Sequence, residues 1–192
     1  MAAVEIREMR LDKALAAAAA GVLGTAMVDN PIHVAVFQGA GLEQRDHLTT
    51  MFTAKLIDLP GEMFLAEQEG ALVGVLRSYP CGAASRDSED DQPEPDKRVR
   101  HWFEVWDRHD PEEAHRHLGP VGVLPPSQGE GIGSRLMDRF CASVDAIGEP
   151  AYLETDKPEN VRFYQRHGFE VIAEEEIYGV VNSFMWRSAD SS

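Results

Sequence analysis

The sequence predicts one α/β domain, with a central mixed and mostly antiparallel sheet of about seven strands flanked by about four helices. Three observations predict it. From His117 onward, segments of period two and period 3.6 follow one another in the order β-α-β-α-β-β. Upstream, "MFLAEQ" and "ALVGVLRSYP" are two apolar runs separated only by Glu69 and Gly70, which is a short-range hairpin signal. Finally, 192 residues suffice for one substantial core and are too few for two independent domains, so residues 1–192 are read as a single unit.

Each element has its own warrant. "VEIREMR" alternates apolar and polar residues as a half-buried strand does, and "LDKALAAAAAGVLG" follows with strong helix formers and a closing glycine. "DHLTTMFTAKLIDLPG" offers Asp46 as N-cap and spaces Leu48, Met51, Phe52, Leu56 and Leu59 along one helical face. Residues 82–110 read as a loop or insertion whose first half, rich in turn formers and acids, has the composition of a mobile segment. Its second half carries Trp102, Phe103 and Trp106. Trp102 and Trp106 share one face of a short helix, for which packing is the expected role and a pocket wall the alternative. Then come the strand "HLGPVGVLPP", the loop "SQGEG" and the helix "IGSRLMDRFCASVDAIG", whose Ile132, Leu136, Phe140 and Val144 form a stripe that lies on a sheet. The strand "AYLETD", the helix "ENVRFYQRHG" and the strands "FEVIAEEEI" and "SFMWRS" complete the chain.

Composition excludes some functions. The net charge of −15, from 33 acidic against 18 basic residues, argues against nucleic-acid binding, because phosphate backbones require a concentrated cationic surface. Cationic partners fit this balance better. "ALAAAAAGVL" is too short and too alanine-rich to span a bilayer, and nothing at the N-terminus reads as a targeting segment, so no membrane partner is expected. Cys81 and Cys141 stand far apart without a CxxC pattern. Neither a disulfide framework nor a covalent cysteine intermediate is indicated, and a cytoplasmic setting is expected.

Three alternating glycines open the helix at Ile132, in "SQGEGIGSRLM". Backbone N–H groups at such a helix start converge on an anion, assisted by the helix dipole. Two familiar phosphate loops fail. The dinucleotide fingerprint needs its third glycine three places after the second, but Gly131 and Gly133 are two apart; a P-loop needs Lys after its last glycine, and here Ser134 and Arg135 follow.

"VGVLPPSQGEGIGSRLM" instead resembles the acyl-CoA-binding signature Q/R-x-x-G-x-G/A of the GNAT superfamily of N-acetyltransferases, with Gln128, Gly131 and Gly133 at its fixed positions. The resemblance continues through "AYLETDKPENVRFYQRHGFEV", covers residues 117–187 closely, and looks most like the puromycin N-acetyltransferase branch that modifies small molecules. It implies the GNAT acyl-CoA N-acyltransferase fold, acetyl-CoA as co-substrate, and attack by a primary amine of a small molecule on the acetyl carbonyl within a ternary complex. A homodimer is common in the family. The competing expectations are a non-catalytic acyl-CoA-binding sensor or interaction module of the same fold and a protein N-terminal or lysine acetyltransferase.

The resemblance also assigns residues. The N–H groups around Gly129, Gly131, Ile132, Gly133 and Ser134 would hold the cofactor pyrophosphate, with Gln128 adding a side-chain donor and Glu130 pointing to solvent. Val121, Gly122 and Val123 would pair with the pantetheine arm as with an added strand, where neighbouring strands splay apart. The N–H of Val121 would polarise the thioester carbonyl, freed from the ladder by a bulge at Gly119 and Pro120. Tyr164, one helical turn after Asn160, would protonate the departing sulfur or else serve as core; Asn160 would bond the pantetheine arm, cap its helix, or do both.

Glu154, on the same strand face as Tyr152, is the first candidate for general base, against a reading as a salt-bridge partner; Asp156 is the weaker candidate. His115 or His117 is the alternative base. These two imidazoles, with His101 and His109, do not lead to a metal site in the sequence, because no cysteine or ordered set of acids is seen to complete one. No metal is therefore expected. The acceptor pocket would be built from residues 24–60 and 82–110, which carry no motif.

Overall fold

In the computed structural model, which describes residues 4–9, 13–58, 61–82 and 96–189, seven strands form one sheet in the order β1-β2-β3-β4-β5-β7-β6. The chain runs β1 (Val4–Met9), α1 (Lys13–Ala26), α2 (Pro31–Phe37), α3 (Gly41–Asp58), β2 (Glu62–Gln68), β3 (Ala71–Cys81), α4 (Lys97–His109), β4 (His115–Val123), α5 (Ile132–Ile147), β5 (Ala151–Thr155), α6 (Pro158–Gln165), β6 (Glu170–Ile177) and β7 (Val180–Arg187). Every neighbouring pair is antiparallel except β4 and β5, which are parallel. The expected mixed sheet is therefore present, and the β2–β3 hairpin turns at Glu69 and Gly70, both with positive φ (53° and 79°) as a primed turn requires.

Both faces of the sheet are covered. Along β2 the side chains alternate: Phe64 and Ala66 meet Ile132, Leu136 and Phe140 of α5, while Met63 and Leu65 meet Ala16, Ala20 and Leu23 of α1 and Phe52 of α3. A third cluster joins Ile32 and Val36 of α2 and Trp102 and Val105 of α4 to Tyr152, Ile177 and Phe184. The stripe expected on α5 is buried throughout, with Ile132, Leu136, Phe140 and Val144 each at most 2% exposed. Among the described residues, no single helix is long and apolar enough to cross a membrane.

Three helical details depart from the sequence reading. α3 starts at Gly41, so Asp46 lies inside the helix and pairs with Arg45 (2.7 Å) rather than capping it. The polar first turn, Glu43-Gln44-Arg45, hides the start because the apolar stripe begins only at Leu48, although Gln44 is buried. α2 was not expected, and with α4 it brings the described helices to six rather than about four. The second half of the 82–110 segment is thirteen residues of helix, capped by Asp96, whose side chain accepts from Arg98 N at 2.8 Å. The first half of that segment, residues 83–95, lies outside the described residues.

Candidate active site

The parallel seam positions the site. β4 and β5 pair only at Arg116–Ala151 and His117–Tyr152. Beyond that rung, β4 runs on to Val123 and β5 to Thr155 without further pairing, so a cleft opens between them. At its mouth β4 carries the expected bulge: Leu76 faces Val121 and Ser78 faces Leu118, which leaves Gly119 and Pro120 opposite Arg77 alone. The Gly119–Pro120 peptide is cis.

On one side of the cleft lies a groove of about 570 Å³ lined by Val121, Gly122 and Val123, by the loop residues Gln128, Gly129 and Gly131, and by Ile132, Gly133 and Ser134 of the first turn of α5. All the residues assigned to the cofactor from sequence thus face one groove, Asn160 and Tyr164 included. Gly129 and Gly131 have φ of 80° and 77°, a conformation that side-chain-bearing residues rarely adopt. Gly131 is the N-cap of α5, and no side chain caps that helix, so its first-turn N–H groups remain available to an anion. Gly133 differs: it is helical, and an added Cβ would lie 3.6 Å from the Phe163 ring, an ordinary contact. The Gln128 amide, expected as an anion donor, donates instead to Val123 O at 2.9 Å and ties the loop to the end of β4. Glu130 is exposed and accepts from Gln68 (3.0 Å).

On the other side lies a cavity of about 250 Å³ beneath α2, α3 and α4. Phe52, Tyr79, Trp102, Phe103 and Trp106 wall it, and Asp107, Asp110, Glu154 and Asp156 bring carboxylates to it. Trp102 and Trp106 therefore pack and line the pocket at once: Trp102 is 2% exposed, with its ring 4.8 Å from that of Trp106. Buried His33 stacks edge-on against Trp102 at 5.6 Å, and burial holds its imidazole well down, at about 4.

Glu154 projects from the same face of β5 as Tyr152, and its Oε2 lies 3.0 Å from His117 Nε2. Both side chains are almost shut off from water, at 4% and 11% exposure. Burial pulls the His117 imidazole down, but the Glu154 carboxylate, a hydrogen bond with Cys81 and the Asp110 charge outweigh it and push the group up to about 9. The His117 ring also stacks on Tyr79 at 4.8 Å, and the Arg77 guanidinium lies 4.4 Å from the Tyr79 ring.

Asp156 does not act as a base-like free carboxylate. It accepts from Asn30 Nδ2 (2.9 Å) and from Ile32 N (2.7 Å), pinning the start of α2 to the end of β5. Asn160 is not the cap of α6, which is Lys157; it sits in the first turn and faces both chambers. Tyr164 is buried, and burial, seconded by the Asp156 charge, raises its phenol well above the usual range.

The groove and the cavity are not separate. Met27, Asn30, Val121, Asn160 and Tyr164 line both. Sequence reasoning missed the α2 contribution, although Asn30-Pro31 is a legible start: Asn30 Oδ1 accepts from His33 N and Pro31 occupies N1. The stretches 24–60 and 82–110, expected to build the acceptor pocket, do line the cavity, but Lys55 and Asp110 were not singled out within them, and Tyr79 of β3 lies outside both. Of the four histidines noted in the sequence, His101 and His109 lie elsewhere, the former against Tyr178 and the latter on Glu175 (2.7 Å). His115 and His117 meet Cys81 and Asp110, with one ligand-type atom from each within 4.8 Å of the others. The premise that no cysteine or acid joins these imidazoles is thereby corrected: the fold supplies both from the ends of β3 and α4.

A mostly antiparallel sheet that parts between two parallel strands, with a helix start aimed into the cleft, is the architecture of the acyl-CoA N-acyltransferases. The chain belongs to the Acetyltransferase (GNAT) family, whose pattern it matches over residues 30–169. Solved structures share the fold at low identity. A Corynebacterium glutamicum structure described as histone acetyltransferase HPA2 and related acetyltransferase is 19% identical, with a TM-score of 0.71 over 100% of this chain and 99% of that one. A Brucella melitensis GNAT family acetyltransferase in complex with acetyl-CoA is 18% identical, with a TM-score of 0.55 over 96% of this chain and 88% of the other. The Escherichia coli ribosomal-protein-S18-alanine N-acetyltransferase is 12% identical, with a TM-score of 0.61 over 98% and 96%.

Proposed function

We propose that this protein transfers an acetyl group from acetyl-CoA to a primary amine of a small cationic molecule, by direct attack within a ternary complex. The observation that carries the reading is the shared wall. Val121, Asn160 and Tyr164 border both chambers, and Glu154 stands in the cavity wall beyond them, so a donor in the groove presents its thioester to an amine in the cavity.

The chemistry follows from these positions. The amine enters as an ammonium, attracted by Asp107 and Glu154 and surrounded by aromatic faces. It gives a proton to the Glu154 carboxylate and attacks the acetyl carbon. The Val121 N–H at the bulged end of β4 holds the developing oxyanion, an interaction typically worth about 3 kcal/mol of barrier. The tetrahedral intermediate collapses, the carbon–sulfur bond breaks, and the coenzyme thiolate takes the phenolic proton of Tyr164, which its raised affinity for that proton keeps in place until the sulfur departs. The nitrogen's remaining extra proton returns to the Tyr164 phenolate and Glu154 releases its proton to solvent, which restores both groups.

The Brucella structure's acetyl-CoA supports the choice of donor, and the aromatic, acid-bearing cavity supports a small cationic acceptor over a protein. The test is thiol release from acetyl-CoA by the purified protein against a panel of small primary amines, with peptide amines alongside. Turnover on an aryl- or alkylammonium acceptor is expected. Acetyl-CoA binding without turnover on any amine overturns the reading.

A further inference from the structure

We propose that Cys81, Asp110, His115 and His117 form a site for one zinc-class divalent cation at the floor of the acceptor cavity. This goes beyond the acetyl-transfer reading and does not depend on it.

The four side chains come from three elements that meet only in the folded state: the last residue of β3, the residue that ends α4, and two same-face positions of β4. Asp110 is the hub. Its Oδ2 lies 3.4 Å from Cys81 Sγ, and its Oδ1 lies 3.3 Å from His115 Nε2 and 4.0 Å from His117 Nδ1. Ligand atoms around a tetrahedral zinc are separated by about 3.5 Å, given metal–ligand bonds of about 2.0–2.3 Å. The approaches of Cys81 and His115 to Asp110 are already near that value, that of His117 is 4.0 Å, and one ligand-type atom from each residue lies within 4.8 Å of the others.

The outer partners argue for a metal more strongly than the spacing does. A metal-bound imidazole usually donates its second ring nitrogen to a carbonyl or carboxylate, which fixes both tautomer and orientation. Both histidines have that arrangement. His115 Nδ1 lies 2.7 Å from the Glu113 carbonyl oxygen, which can only accept, so Nδ1 carries a proton and Nε2 is the ring nitrogen turned toward the cluster. That Nε2 is buried, and its nearest polar neighbour is the Asp110 carboxylate, 3.3 Å away. His117 Nε2 engages Glu154, which leaves Nδ1 for the cluster. One thiolate, one carboxylate and two imidazoles form a closed set of borderline-soft donors suited to zinc and its close chemical relatives, and unsuited to magnesium or calcium. A cation bound here would fasten the ends of β3, α4 and β4 together and hold the His117 N–H on Glu154.

The experiment uses the untagged full chain, stripped by dialysis against a chelator and titrated with Co²⁺ as a spectroscopic probe. The expected result is one equivalent bound per chain, with the visible bands of tetrahedral cobalt and a near-ultraviolet thiolate-to-cobalt band. Cys81→Ser is expected to abolish the thiolate band, His115→Ala to lower affinity at least about tenfold, and Cys141→Ser to leave the spectrum intact. Zn²⁺ is expected to displace the cobalt. An octahedral, water-like cobalt spectrum, or a thiolate band that survives Cys81→Ser, overturns the proposal. Should His115→Ala fail to fold, as judged by circular dichroism, the Cys81→Ser spectrum alone decides.

Discussion

Glu154 Oε2 lies 3.0 Å from His117 Nε2, so a residue just past the last rung that joins β4 to β5 reaches back to a member of that rung. The contact spans the point where the sheet opens, so the residue pair sits at the apex of the cleft that the groove and the cavity share. Under the proposed function, a carboxylate at that apex reaches an amine in the cavity without leaving its strand.

Replacing Glu154 by Gln keeps the shape and a hydrogen-bond acceptor for His117 while removing the proton acceptor. Turnover is expected to fall about 100-fold, within the range of general base catalysis. The deficit shrinks as pH rises toward the amine's own pKa, because more of the acceptor then arrives neutral. A pH-rate comparison of the two proteins checks this, and a deficit independent of pH removes the base assignment.

Tyr164→Phe removes one hydroxyl from the wall between the chambers. The expected outcome is a kcat lowered about 100-fold with the acetyl-CoA KM changed by less than about threefold, since the role concerns the departing sulfur. Unchanged turnover contradicts the acid role.

Gly131→Val forces a β-branched residue into a φ of 77° at the N-cap of α5. The strain is expected to cost about 1–2 kcal/mol or more of unfolding free energy and to displace the N–H groups offered to the donor. Urea unfolding measures the first effect. Calorimetric titration with coenzyme A measures the second, where a loss of at least about tenfold in affinity is expected, consistent with one or two weakened anion contacts.

Asp156→Ala cuts the two bonds that hold α2 to the end of β5. Because α2 roofs the cavity and contributes little to the groove, the acceptor KM is expected to rise about tenfold while coenzyme affinity changes little, as about 1–2 kcal/mol of positioning is lost. Equal losses on both ligands contradict this division of roles.

His33 makes stability depend on acidity. Burial, seconded by the charges of Lys55, His47 and Lys157, holds its folded pKa at about 4, below its unfolded value near 6.5. Between those values the unfolded chain binds the extra proton, so stability falls as pH drops from about 6.5 to about 4, by about 1.4 kcal/mol per unit from this group. Above about 6.5 its contribution is flat. Urea midpoints of the wild type and His33→Gln between pH 7 and pH 4 are expected to converge on acidification.

Much of the site was legible because it is local. The alternating glycines and the α5 stripe occupy consecutive turns, and the alternation in "AYLETD" places Glu154 on the face of Tyr152, so spacing alone located them. The stretches 24–60 and 82–110 were legible as suppliers of the cavity, but its individual side chains were not, because its walls come from α2, α3, α4, α6 and four strands that meet only in the folded chain. Asp110 and Cys81 are 29 positions apart and meet only when α4 lies across the end of the sheet. The start of α3 was obscured by polar residues whose burial, as at Gln44, depends on tertiary packing rather than on a periodic pattern.

The common wall has a further consequence for how such a protein diversifies. Val121, Asn160 and Tyr164 line both chambers, so under the proposed function a change there alters donor and acceptor together and is doubly constrained. Trp102, Phe103 and Trp106 of α4 border the cavity and not the groove. Their helix is the free parameter of the design: its aromatic face can be rewritten for a new acceptor while the donor's berth is inherited intact.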